Sequence, residues 1–438
     1  MASYYVWSGA TGTATGATWA NAKTTLAAML SASAAGDTIY VAHDHAETTA
    51  GNINLFPNGT VSNPSKVVCV NRAGSVPPVS ADRRATAQVT STTNSTLQFG
   101  IGTGHFDGII FNIADGTNQA TISPQVSASH WTRFDNCSLR LVGTNFNGKI
   151  QHTTAGTYVE FNNTTVSFSN VLQSITVGGP MKWRNTLSAL LGAAVPTTLF
   201  VPGGTAGGSL ECIGVDLSAA GTGKTIVGAV SNAVAQKYNF IDCKLDAAVT
   251  KSAVPLSHAS TEIDFVRSGA TGVNYNVYRH RISGSLQEET TIVRTGGASD
   301  GTTTIAWKIV TTATCSYSMP FECPPIAIWN DTVGSAKTAT VEGIWGGGAV
   351  PNDDDVWLDV EYLGSSSSPQ GSFVNDGKAD LVATAAGQTS SSATWGGSTT
   401  KFKLEATFTA QQKGWIFGRV KCAKPSTTFY IDPLITLT

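Results

Sequence analysis

FDNCSL at 134–139 is answered by FNNTTV at 161–166, WRNTLS at 183–188, CIGVDL at 212–217 and FIDCKL at 240–245. The starts lie 27, 22, 29 and 28 residues apart. The first position reads Phe134, Phe161, Trp183, Cys212 and Phe240, and the third reads Asn136, Asn163, Asn185, Gly214 and Asp242. The sixth reads Leu139, Val166, Ser188, Leu217 and Leu245. An irregular period in the twenties fits one coil of a large parallel β-helix, where like residues stack at about 4.8 Å. Asn, Gly and Asp tolerate left-handed backbone at a tight bend, and stacked side-chain amides can bond from coil to coil. Small Cys137, Thr164 and Cys243 follow the bend, where the interior is crowded. The expected fold class is all-β, with a right-handed parallel β-helix. Earlier coils are expected at KVVCVNR (66–72) and FDGIIFNI (106–113).

Outward from this block, the N-terminal side has a strand, YYVW (4–7), then an Ala/Leu-rich stretch, TWANAKTTLAAMLSASA (18–34). Trp19, Leu26, Met29 and Leu30 fit one helical face. Gly36 ends the helix, and GDTIYVA (36–42) restarts as a strand. An amphipathic helix can plug the open end of a β-helix core and block edge pairing.

On the C-terminal side the texture changes after about residue 265. Period-2 strands appear in 281–312, split by GGASDG, and in PIAIWN (325–330), KTATVEGIWG (337–346) and DVWLDVEYL (355–363). KFKLEATFTA (401–410), GWIFGRVKC (414–422) and FYIDPLITL (429–437) complete an antiparallel set, expected as a β-sandwich or jelly roll. The expected domains are a cap at 1–45, a β-helix at 46–265 and a sandwich at 266–438.

The 438 residues carry a net charge of −2 and only 13% charged residues, so no strong basic field draws the chain to nucleic acid. No signal peptide and no 18-residue apolar run is visible, so neither nucleic acid nor membrane is an expected partner. The seven cysteines are scattered and form no CxxC pair, which reads as reduced core residues.

Candidate chemistry is sparse. GTGKT (221–225) ends like a phosphate loop, but Ser218 stands where the pattern needs Gly. His43, His45 and Glu47 alternate in HDHAE, a metal-ligand spacing if the segment is a strand, against an exposed loop. Asp353, Asp354 and Asp355 cluster in PNDDDVWLD, where a solvated turn outweighs a calcium site. The alignment stacks Asp135 over Asn162, Arg184, Ile213 and Ile241. No second carboxylate is expected on the same face of neighbouring coils, and Asp107, Glu160, Glu211 and Asp216 are not expected to converge. Trp307, Trp329, Trp345, Trp357, Trp395 and Trp415 read as core or interface, with sugar stacking as the alternative. No catalytic, cofactor-binding or metal-binding residue is assigned.

The YYVW…TWANA…GDTIYVA block resembles the cap and first coil of tailed-bacteriophage β-helix virion proteins. The Thr/Ser/Gly-rich, charge-poor style and the small β-domain ending at FYIDPLITLT are similar to the same group. The resemblance implies a virion structural protein, homo-oligomeric, whose partners are a major capsid protein or neighbouring copies, and the low acid count of the coils makes a non-enzymatic scaffold the expectation. Tailspikes of this kind place a particle-binding domain before the β-helix, whereas here the β-helix starts within a few residues. Capsid decoration is therefore the expected role. A tailspike that binds or depolymerises a host surface glycan is the alternative.

Overall fold

In the computed structural model, residues 93–95, 114–120, 125–128, 144–147, 155, 204–206, 230–233, 254–255, 257, 271–276, 290–305, 346–354, 364–379, 387–400 and 410–412 are not described; the rest are. The chain divides into two compact units, Met1–Asn276 and Val277–Thr438.

The first unit is a parallel β-helix of three sheets. Among the described residues the first sheet stacks ten parallel strands, from Ser3–Val6 and Thr38–Ala42 to Lys237–Ile241 and Glu262–Val266. The second runs from Ala46–Thr49 to Leu190–Leu191. The third runs from Ile53–Leu55 to Thr250–Ser252. Both earlier coils are present, at Ser65–Val70 and at Gly104–Asp107 with Ile109–Ile113.

The bends follow from the residues placed there. Asn136, Asn163, Asn185, Gly214 and Asp242 hold φ of 53°, 48°, 50°, 62° and 53°. This is the left-handed region that Asn, Asp and Gly enter most easily. Gly108 and Arg267 extend the series at 76° and 47°. The Arg267 guanidinium lies 2.7 Å and 2.9 Å from the two Asp242 carboxylate oxygens. One residue on, a hydroxyl ladder ties the coils: the Thr164 hydroxyl donates to Phe134 O at 2.9 Å and accepts from Cys137 N at 3.3 Å. Ser268 does the same for Phe240 and Cys243.

The core is a column of rings. Phe106, Phe134, Phe161 and Trp183 follow one another in register, with centroids 5.5–5.9 Å apart. Cys212 interrupts the column. Phe200, from the third sheet, bridges the gap at 6.3 Å from Trp183 and 5.8 Å from Phe240. One alignment position needs correction: Leu190, not Ser188, stacks on Val166. Ser188 takes a left-handed bulge at φ 48° that lengthens this bend.

The N-terminal helix is shorter than the pattern predicts. It spans Leu26–Ala32, with Thr25 as N-cap and Leu26, Met29 and Leu30 buried. Residues before Thr25 commit their backbone elsewhere: Lys23 bonds Tyr5 and Trp7, and Gly16 bonds Tyr5 and Asn21. Trp19 packs edge-on to Tyr5 at 4.7 Å.

The second unit is antiparallel. Gly284–Glu289, Ala306–Thr311, Thr428–Ile431, Ala336–Trp345 and Lys401–Thr409 pair in one sheet. Ile326–Asn330, Gly414–Cys422, Val356–Leu363 and Asp380–Ala386 pair in another. Leu286, Ile309 and Phe429 from the first sheet share one buried cluster with Leu358, Ile416 and Val420 from the second. The GGASDG turn lies outside the described residues. All seven cysteines are free and buried. No helix among the described residues is long and apolar enough to cross a membrane.

Candidate functional site

Alternation along a strand sends every second side chain of the first sheet outward. One outward column reads His105, Arg133, Glu160, Lys182, Glu211 and Asn239. The next reads Asp107, Asp135, Asn162 and Arg184, then turns apolar at Ile213 and Ile241. The stacking of Asp135 over Asn162, Arg184, Ile213 and Ile241 is as the alignment has it.

The expectation that no second carboxylate repeats on this face is corrected. Asp107 stands beside Asp135, and Glu160 and Glu211 share a column with one strand between them. The signal lies in the alignment itself: Arg133, Glu160, Lys182 and Glu211 occupy the position just before the aligned aromatic or Cys. Asp216 is elsewhere, hydrogen-bonded by Ser218 and by Lys244 at 3.1 Å. Burial works against its charge, yet these donors hold the Asp216 carboxyl below its usual value.

Cations sit among the acids. Arg133 Nε is 2.8 Å from Asp135, whose other oxygen accepts from Asn162 at 2.9 Å. Arg184 reaches Glu160 at 3.7 Å and Glu211 at 3.5 Å, and Lys182 Nζ reaches Glu211 at 3.2 Å. Glu160 is almost covered, whereas Glu211 is about a third exposed. Asp135 raises the Arg133 guanidinium pKa further, so that charge is permanent.

Aromatic rings flank the ladder. His105 packs on Trp131 at 4.9 Å and Trp131 on Tyr158 at 5.8 Å. Burial, with Glu160 nearby, pushes the Tyr158 phenol up to about 12, so it stays protonated at neutral pH. Burial and the Arg133 charge push His105 down, which keeps the ring neutral. Two grooves meet at Tyr158. One, about 350 Å³, is lined by Val61, His130 and Trp131, and the other, about 300 Å³, by Lys182, Glu211, Lys237 and Asn239. Aromatic faces beside ionic groups suit a sugar, which offers C–H faces and hydroxyls together.

The other candidates lie apart from this face or outside the described residues. Gly221–Thr225 is a turn, with Lys224 N on Gly221 O at 3.1 Å, and feeds the strand Thr225–Val227. His45 and Glu47 meet at 3.1 Å in the interior, and Glu47 accepts from Leu26 N, the start of the helix. His43 is separate, near the surface beside Arg72. No group that could hold a metal occurs among the described residues. Asp353 and Asp354 lie outside the described residues, and Asp355 pairs with Lys424 at 3.2 Å. Trp307 and Trp357 are buried, and Trp329 and Trp415 are exposed, edge to face at 5.4 Å. Trp395 lies outside the described residues.

No protein-family model matches the sequence, and no curated protein matches it. Among the solved structures that match are two phage proteins. One is the enzymatically active domain of bacteriophage CBA120 tailspike protein 4, at 8% identity and a TM-score of 0.21. That match covers 94% of this chain and 65% of the other, so the chain spans just under two thirds of that domain. The second is the Acinetobacter phage vB_ApiP_P1 tailspike protein, at 12% identity and a TM-score of 0.23, covering 89% and 82%. Both are tailspikes, and neither is a capsid decoration protein. Against the non-enzymatic expectation stands the description of the first, an enzymatically active domain, which is said of that protein alone.

Proposed function

We propose that this chain is a phage tail protein that binds and cleaves a polysaccharide of the host surface along the outward face of the first sheet. The observation that carries the reading is the register of Glu160, Lys182 and Glu211 beside the Trp131–Tyr158 surface. The backbones of Glu160 and Glu211 sit two strand spacings apart, about 9.5 Å, and one guanidinium, that of Arg184, reaches both carboxylates. Inverting glycosidases hold their acid and base about 6.5–9.5 Å apart, leaving room for a water. Glu211, in the groove, would activate that water, and Glu160, on the far side of Lys182, would serve the leaving oxygen. The cap role of Leu26–Ala32, the right hand of the helix, the ranges 1–45, 46–265 and 266–438, the sandwich form of the last and a homo-oligomer within the virion belong to the same proposal.

The test is incubation of the purified chain with capsular polysaccharide from candidate hosts, reading new reducing ends. Glu160→Gln and Glu211→Gln are each expected to lower release by at least about 100-fold while polysaccharide still binds. Unchanged release in both variants would remove the pair from the chemistry. A binding-only reading has one observation of its own, the exposed Trp329–Trp415 pair. Loss of polysaccharide binding in Trp329→Ala/Trp415→Ala, with no release by wild type, would favour it.

A further inference from the structure

The bend between the first and second sheets is short in most coils. It takes one residue, Gly108, after Gly104–Asp107, and two, Asn136 and Cys137, after Trp131–Asp135. After Ser65–Val70 it takes sixteen, residues 71–86. This excursion is built, not loose: the Asp82 carboxylate accepts from Ser75 N at 3.1 Å and Val79 N at 2.9 Å, and Asn71 N bonds Asp82 O at 2.7 Å. Its end, Arg84 N, bonds back to Cys69 O at 3.0 Å. The contact is close, since a side chain on Gly108 would strike the Arg84 carbonyl.

The product is a groove of about 550 Å³ walled by Arg83, Arg84 and Arg140 over the Asn136–Asn163 bends. Its one carboxylate among the described residues, Asp107, is already matched. Asp107 accepts from Asn136 at 2.8 Å and pairs with Arg83 at 3.1 Å, and Asn163 donates to Asn136 at 2.7 Å. Arg84 and Arg140 are different. Arg84 Nη1 is fixed on the carbonyls of Ala81 at 3.1 Å and Arg83 at 2.7 Å. Arg140 Nε is fixed on Ser138 Oγ at 2.9 Å. Among the described residues neither guanidinium is in an ion pair, although Asp82 lies within electrostatic reach of Arg84, so the arginines lining the groove outnumber its carboxylate three to one. A guanidinium fork matches a planar oxyanion better than any neutral hydroxyl.

We infer that this groove receives the anionic substituents of an acidic polysaccharide, with a carboxylate-bearing sugar as the fitting unit. The inference rests on the glycan reading above and names its substrate class. Asp107 joins the groove to the acid-bearing face, so one chain can run across both.

The test measures binding of the full chain to polygalacturonate, to its fully methyl-esterified form and to dextran sulfate. Wild type is expected to bind an anionic polymer at least about tenfold tighter than the neutral ester at low salt, with the gap narrowing as salt rises. Arg84→Gln/Arg140→Gln is expected to lose that gap and keep its unfolding midpoint, while Arg84→Lys/Arg140→Lys keeps part of it. Stronger binding to dextran sulfate, lost in the Gln variant, supports the groove with sulfate as the substituent. Equal binding of neutral and anionic polymers, or a gap that survives in the Gln variant, overturns the inference. Oligosaccharide release is scored separately on wild type. Acid-selective binding without release overturns cleavage alone, and release without acid selectivity overturns the groove alone.

Discussion

Asn163 shows what one residue contributes to this fold. Its φ of 48° turns the chain between sheets, and its amide links to Asn136 below. A Cβ without a polar group costs about 1–2 kcal/mol in this conformation. Asn163→Ala is therefore expected to destabilise by about 1–2 kcal/mol and Asn163→Gly by less, read from urea unfolding. A larger cost for Gly would show that the amide link matters more than the backbone. In the second unit, burial and the neighbouring Arg281 push His280 down to about 4. Its unfolded value is about 6.5, so between pH 6.5 and 4 the unfolded chain binds the extra proton. Stability of that unit is intact above pH 6.5, falls as pH drops toward 4 and levels off below. The span is on the order of 3 kcal/mol, and His280→Asn is expected to flatten it in a pH series of unfolding curves.

At the scale of elements, the coils are held by what fills them. The column from Phe106 to Trp183 would break at Cys212 if Phe200 did not enter from the third sheet. Phe200→Ala is expected to cost about 3–5 kcal/mol through the cavity it leaves. Cys212→Phe alone should also destabilise, by overpacking. The double variant should recover part of both losses, because one ring again joins Trp183 to Phe240. Strict additivity in denaturant unfolding would show that the two sites do not share a space. The N-terminal helix carries an opposite lesson. Its apolar spacing extends back to Trp19, but Lys23 and Gly16 bond the first strand instead, so pattern yields to backbone pairing.

At the scale of the molecule, a charge-poor chain places its few charges where they meet. The outward face of the first sheet gathers Arg133, Glu160, Lys182, Arg184 and Glu211, while the thiols go inward. Burial drives the Cys212 and Cys422 thiols well above their usual pKa. Native protein is expected to leave all seven cysteines unlabelled by a thiol reagent at pH 8, and denatured protein to expose all seven. Rapid native labelling of any one would mean that its coil or sheet opens locally.

The sequence by itself determined the bends, because the sign of φ is a local property and Asn136, Asn163, Asn185, Gly214 and Asp242 announce it. It also determined the inward rings, and it held the Glu160–Lys182–Glu211 column one position ahead of them. The tertiary structure alone decided the rest. Whether Ser188 or Leu190 stacks on Val166 depends on how far a bend bulges, which spacing does not record. That Arg83 meets Asp107 depends on a sixteen-residue excursion folding back onto the next coil. Contacts between coils are set by register, and register is the sum of loop paths that only the folded stack fixes.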